Sequence, residues 1–276
     1  MHDDDVSTQS RIRSPAPLRA AICSFTASAD IRANAAVIAE AISQAHQAGV
    51  RLLLTPEAAL TGYPGGGRDD IEGIDWASVA SLEDALAEQA LERGICLVLG
   101  TGTLTGSTVT NTALVCGSID HEYRYHKRCL TPWDGEHYVP GVSPVVAEID
   151  GWRLGLAICF DVRFASIWAD LARAKADLFC CIAHMAGPDP DPGVKNRVIA
   201  AMLGTRAAEW ATPLLFCNTA APDRWLESGL WDARGIQTEA GGEGLLVTTV
   251  RPRQAHAPWY QQLRQMALQH QSGQPA

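Results

Sequence analysis

Apolar runs of strand length alternate along the chain with stretches of helical period. Residues 18–25, 50–55, 95–101, 109–116, 145–149, 152–158, 178–183 and 214–218 are dense in aliphatic residues and bounded by turn formers, so they read as strands. Residues 31–48, 78–93, 165–174 and 195–210 repeat apolar positions three and four apart, the spacing of one helix face. Asp30 stands where an N-cap is expected, Gly49 falls just past the first helix, and Gly94 stops the second. Asp150-Gly151, between two apolar runs, is a two-residue hairpin signal. A Pro, Asp and Gly-rich loop over 187–193 and closing strands at 228–231, 236–239 and 244–250 complete the pattern. Crossover units mixed with hairpins predict one α/β domain over 17–257, with helices covering sheet faces. Periodicity alone does not fix its topology. Residues 1–16 read as a mobile N-terminal tail and 258–276 as a polar C-terminal arm.

Composition narrows the class. The 276 residues are 47% hydrophobic and 19% charged, against about 25% charged in an average domain, which excludes a disordered chain, a collagen and a coiled coil. The net charge of −9, with no dense basic stripe, argues against nucleic acid as a partner. No apolar run reaches roughly 18 residues, so no membrane span is expected. The acidic start Met1-His2-Asp3-Asp4-Asp5 is unlike a signal peptide. Cys23, Cys96, Cys116, Cys129, Cys159, Cys180, Cys181 and Cys217, in a long chain without a secretion signal, predict free thiols and a cytoplasmic protein.

Three polar residues stand directly after strand-like runs or at their edge. Glu57 follows Leu52-Leu53-Leu54-Thr55-Pro56, Lys127 follows Tyr123-Arg124-Tyr125-His126, and Cys159 follows Leu154-Gly155-Leu156-Ala157-Ile158. Ligands of α/β sheets bind at strand ends. A cysteine at a strand-to-helix corner lies near a helix N-terminus, which favours the thiolate. A neighbouring lysine would lower the thiol pKa further, and a glutamate could move the proton. Taken singly, each has a plainer reading: a core cysteine, a capping or turn glutamate, a surface lysine.

Their surroundings jointly resemble the carbon–nitrogen hydrolase (nitrilase) superfamily. The first match runs from Leu54 through Pro56-Glu57 to Thr61-Gly62-Tyr63. The second is Tyr125-His126-Lys127-Arg128-Cys129-Leu130 with Gly135-Glu136 and Pro140-Gly141. The third is Gly155-Leu156-Ala157-Ile158-Cys159-Phe160-Asp161-Val162-Arg163-Phe164. Asn196-Arg197 with Thr205-Arg206-Ala207-Ala208-Glu209 resembles a later helix of the family, and Ser228-Gly229 to Gly235 a late hairpin, more loosely. The resemblance spans roughly residues 18–250.

The resemblance implies a four-layer α-β-β-α sandwich that forms homodimers or larger homo-oligomers. It also implies an enzyme that cleaves the C–N bond of a small linear amide through a cysteine thioester. Cys159 would be the nucleophile, Glu57 the general base and later acid, and Lys127 the oxyanion stabiliser, aided by the backbone N–H of Phe160. Glu136 would be an auxiliary carboxylate orienting Lys127 or the substrate. Tyr63, Trp133 and His184 would line the pocket, with core packing or a dimer contact as the other reading of Trp133 and His184. Arg163 matches a position that meets a substrate carboxylate in ω-amidase-like relatives; the alternative is a buried pair with Asp161 or Glu136. Such thiol chemistry needs no metal and no cofactor.

Phe160-Asp161 in place of the Trp-Glu of true nitrilases leans towards an amidase, with N-carbamoyl hydrolysis, nitrile hydrolysis or a catalytically silent binder as alternatives. Cys23-Ser24, Ala165-Ser166 and Ala221 also depart from the family pattern and leave the substrate open. Gly100-Thr101-Gly102 lacks the dinucleotide fingerprint, Gly65-Gly66-Gly67 lacks a following Lys-Ser/Thr, and no G-x-S-x-G is present. His121, His126 and His137 lack zinc spacing.

Overall fold

The computed structural model describes residues 15–188 and 192–252, so the expected arm, nearly all of the expected tail and the middle of the 187–193 loop lie outside the described residues. Among the described residues, twelve strands form two six-stranded sheets. The first sheet holds β1 (Leu18–Ser24), β2 (Leu52–Leu54), β3 (Cys96–Thr105), β4 (Thr108–Gly117), β5 (Tyr123–His126) and, at its other edge, β12 (Gly244–Val250). The second runs β11 (Gln237–Gly241), β10 (Ser228–Trp231), β9 (Leu214–Asn218), β8 (Leu178–Ala183), β7 (Trp152–Ile158) and β6 (Val146–Ile149). Each sheet has a parallel centre, β1-β2-β3 and β7-β8-β9, flanked by antiparallel strands.

The period of two sorts side chains between layers. Leu18, Ala20 and Ile22 of β1, with Leu52, Leu54 and Val98, join Leu154, Leu156 and Leu178 in the core between the sheets. The alternate residues Ala21, Cys23, Leu53, Leu97 and Leu99 face helices α1 (Ile31–Gln47) and α2 (Trp76–Glu92) through Ile38, Ile42, Val79 and Leu86. Helices α3 (Ala165–Arg173) and α4 (Val194–Trp210) cover the second sheet with Ile167, Leu171 and Leu203. The result is the four-layer α-β-β-α sandwich.

The local signals act as their chemistry requires. The Asp30 side chain accepts from the N–H groups of Arg32 and Ala33, capping α1. Asp150 and Gly151 both take positive φ, 48° and 81°, in the turn that pairs Ile149 with Trp152. The run Tyr123–His126 that precedes Lys127 forms the short edge strand β5, whereas two 3-10 turns, Asp134–Glu136 and Cys159–Arg163, carry no regular apolar period and are not predicted by it.

Both parallel centres end at the same rim. There Thr55-Pro56-Glu57 leaves β2, Lys127 leaves β5, Cys159 leaves β7 and His184 leaves β8. Gly100 of β3 supports the Glu57 loop: its N–H donates to Thr55 Oγ1 (3.0 Å) and its carbonyl accepts from Leu60 N–H (2.9 Å). A Cβ at Gly100 would collide with the Pro56 carbonyl oxygen. Gly100→Ala is therefore expected to cost about 2–3 kcal/mol, as overpacking does, and to displace Glu57. Urea titration checks the first effect. A wild-type midpoint would contradict this account of the loop.

Candidate active site

Glu57 lies in a buried turn followed by Ala58 at φ 51°, a conformation that holds the glutamate pointing inward. Its Oε1 accepts from Lys127 Nζ and from Asn111 Nδ2, both at 2.7 Å, and its Oε2 accepts from the backbone N–H of His184, also at 2.7 Å. The carboxylate is thus satisfied on both oxygens although it is removed from water.

Lys127 is wholly buried. Its backbone N–H donates to the Asn111 carbonyl, its carbonyl accepts from Gly141 N–H, and its Nζ bridges Glu57 and Asp134 Oδ2 at 2.7 and 2.8 Å. Burial alone would lower the ammonium pKa; the negative charges around it, Glu57 foremost, reverse this and hold it well above the ordinary lysine value. Asp134 also accepts from Tyr63 OH (2.8 Å) and from Thr131 N–H and Oγ1–H (both 2.9 Å). Burial pushes its pKa up, but the Lys127 charge and these donors bring it below the usual carboxylate range.

This corrects the expectation for Glu136. The 3-10 turn aims Asp134 at Lys127 and leaves Glu136, two residues on, exposed.

Cys159 sits on the corner between β7 and the second 3-10 turn, at φ 48°. Asp161 ties that corner down: Oδ2 accepts from Ile158 N–H (2.9 Å) and from Tyr125 OH (2.7 Å), and Oδ1 accepts from Cys129 N–H (2.9 Å). Tyr125 stands two residues before Lys127, so the clamp fixes the lysine arm of one sheet against the cysteine corner of the other. Glu57 and Lys127 are the charged groups that act most strongly on the thiol.

The expected lowering of the thiol pKa is also corrected. Burial, then the Glu57 charge, push the Cys159 pKa well above the ordinary thiol value, and Lys127 only partly opposes them. The ammonium is already engaged by two carboxylates, and the five-residue turn supplies too little dipole to offset desolvation.

Cys159 lies in the floor of a cavity of about 550 Å³, whose walls include Tyr63, Trp133, Phe160, Arg163, His184 and Trp225. The His184 ring stacks on Tyr63 (centroids 4.6 Å apart, 15° between planes). Its other side faces Gly66, where any Cβ would meet the imidazole. Burial lowers its pKa, so the ring is neutral at pH 7. Trp133, 43% exposed, donates Nε1–H to Pro64 O at 2.9 Å. Arg163 is exposed with its guanidinium 5.6 Å from the Phe160 ring centroid, and the Asp161 oxygens are taken, so the buried-pair reading of Arg163 is excluded. Among the described residues no cluster of His, Cys, Asp or Glu could hold a metal ion.

Sequence reasoning missed Asn111, which lies inside a strand, and Asp134, whose role depends on a turn that leaves no sequence period. Because the folded Asp134 pKa lies below its unfolded value, its contribution to stability is full above about pH 4 and is lost as pH falls through the folded value. The melting temperature of the wild type should therefore fall more steeply below about pH 4 than that of Asp134→Asn. Parallel slopes in thermal melts over that range would refute the assignment.

A family model described as Carbon-nitrogen hydrolase matches residues 19–258. A hydrolase of Mycobacterium tuberculosis is 31% identical over 182 residues, 62% of this chain and 63% of its own length. The chloroplastic omega-amidase of Arabidopsis thaliana is 25% identical over 197 residues, 62% of this chain and 52% of its own. The match thus spans less than two thirds of the length of these relatives. An amidase from Nesterenkonia sp. superposes with a TM-score of 0.74 at 26% identity, covering 92% of this chain and 100% of that one. A variant of a Nesterenkonia amidase in complex with butyramide superposes at 0.73 with 25% identity, covering 84% and 90%. With its sandwich fold and a family model spanning nearly the whole described chain, the protein belongs to the carbon–nitrogen hydrolase family, within the nitrilase superfamily.

Proposed function

We propose that the protein is an amidase that hydrolyses a small linear amide to a carboxylic acid and ammonia through a thioester on Cys159. The observation that carries this reading is the meeting of residues far apart in sequence: Glu57 bonds Lys127, 70 residues on, and both act on Cys159, 102 residues on, which lines the cavity. The raised thiol pKa means that the nucleophile needs a base, and Glu57 is the charged group that acts on it most strongly.

Glu57 takes the thiol proton as sulfur bonds to the amide carbon, and the carbonyl oxygen becomes an oxyanion. The Lys127 ammonium and the backbone N–H of Phe160 stabilise that charge. Protonated Glu57 then gives its proton to the nitrogen, the C–N bond breaks, and ammonia leaves an acyl thioester. A water, deprotonated by Glu57, attacks the thioester. The second tetrahedral species collapses with loss of the acid, and the proton returns to sulfur. Asp134 keeps the ammonium in place throughout. The aromatic walls suit an apolar acyl chain. The Arg163 guanidinium, without an ion pair among the described residues, suits one ending in a carboxylate.

Cys159→Ala and Glu57→Gln should each lower kcat on small primary amides by at least about 10⁴-fold while the fold is kept. Ammonia release measures this, and a mass increase on Cys159 after acid quench reports the thioester. Turnover that survives Cys159→Ala would refute the reading. Carbon dioxide released alongside ammonia would reassign the substrate to the N-carbamoyl class.

A further inference from the structure

We infer that Asn111 is a positioning residue of the acid–base centre, holding Glu57 where it can take up and return the Cys159 proton. The inference rests on the proposed role of Glu57. Asn111 lies within β4 and is buried. Its Nδ2 donates to Glu57 Oε1 at 2.7 Å, the oxygen that also accepts Lys127 Nζ at 2.7 Å. Its main-chain carbonyl accepts the N–H of Lys127 at 2.8 Å. One strand residue therefore fixes the carboxylate with its side chain and the lysine backbone with its carbonyl. With the His184 N–H on Oε2, Glu57 has one neutral donor on each oxygen in addition to the ammonium.

The neutral donors matter because the ammonium has a second task. When Lys127 Nζ turns towards an oxyanion, only Asn111 remains on Oε1. Without it, the ionised carboxylate would keep the ammonium as its sole partner on that oxygen and oppose the transfer. The protonated carboxyl would in turn be free to rotate. Asn111 Oδ1 is buried and has no hydrogen-bond partner. A buried acceptor left unpaired is costly and calls for an explanation. Rotation of the carboxamide presents this oxygen to the proton of the acid form of Glu57, so the same side chain serves both protonation states.

The test is the rate of Cys159 alkylation by iodoacetamide on the full chain, followed by peptide mass spectrometry between about pH 5 and 9. It needs no substrate. Asn111→Asp keeps the shape but replaces the donor with a second carboxylate. It should slow alkylation about tenfold near pH 6 and move the acid limb of the profile upward by about one pH unit. Asn111→Ser, which keeps a smaller polar group, should fall between it and the wild type. With a primary amide, kcat should fall by a similar factor while KM stays within about threefold.

A wild-type pH profile in folded Asn111→Asp would overturn the inference. So would slowing by one factor at every pH, which is what a merely structural role produces. Glu57→Gln separates the two readings. If it alkylates with the wild-type profile, the role of Glu57 itself fails. If it slows while the Asn111 variants do not, only the role of Asn111 fails.

Discussion

The arrangement depends on one buried ammonium held between two buried carboxylates. Lys127, Glu57 and Asp134 carry a net charge of −1 in a place without bulk water. Desolvating ions costs several kcal/mol each, and a bare pair would not recover it. Here each carboxylate oxygen is supplied with a donor: Asn111 and His184 N–H on Glu57, Tyr63 and Thr131 on Asp134. Those donors come from a strand interior, a strand end and two loops, so the ions are stable only when the whole rim is assembled. Stability of the site and completeness of the fold are one property.

The two sheets divide the work. The first delivers Glu57, Lys127 and Asn111; the second delivers the Cys159 sulfur and the N–H of His184. A shift of one sheet over the other would break the Lys127–Cys159 relation before any single strand changed. Tyr125 and Cys129 on the lysine arm both bind Asp161 beneath the cysteine corner, which gives that relation its own clamp. Asp161 is thus a structural carboxylate beside the Cys159 corner, and burial holds its pKa above the usual value despite three donors.

Most of the elements were legible because apolar periodicity reports burial on sheet and helix faces, and these faces are most of the molecule. Strands β8 and β9 and the Asp30 cap lie where pattern places them. Glu57, Lys127 and Cys159 were legible as polar residues ending apolar runs, within motifs of a known family. The errors have a common origin. Glu136 was named and Asp134 overlooked because a two-residue difference in facing is set by a 3-10 turn, which sequence period does not register. The sign of the thiol shift depends on burial and on how the ammonium is shared, and both are properties of the assembled site. Asn111 resembles any polar residue on a half-buried strand until its partner, 54 positions earlier, is known.

The charge balance explains why a protonated thiol suits this site. A resting thiolate would raise the net charge of the buried cluster from −1 to −2, with one ammonium to share among three anions, which burial resists. In the proposed attack the thiol proton moves to Glu57 while negative charge appears on the substrate oxygen, so the cluster stays at −1. Neutralising Glu57 removes one of the two attractions on Lys127 as the oxyanion, a new one, forms nearby. The ammonium changes partner without being desolvated again, since Asp134 holds it on the other side throughout. The cost of burying the ions is met on folding, and the reaction only relocates a charge already present, the condition under which fixed donors lower a barrier most effectively.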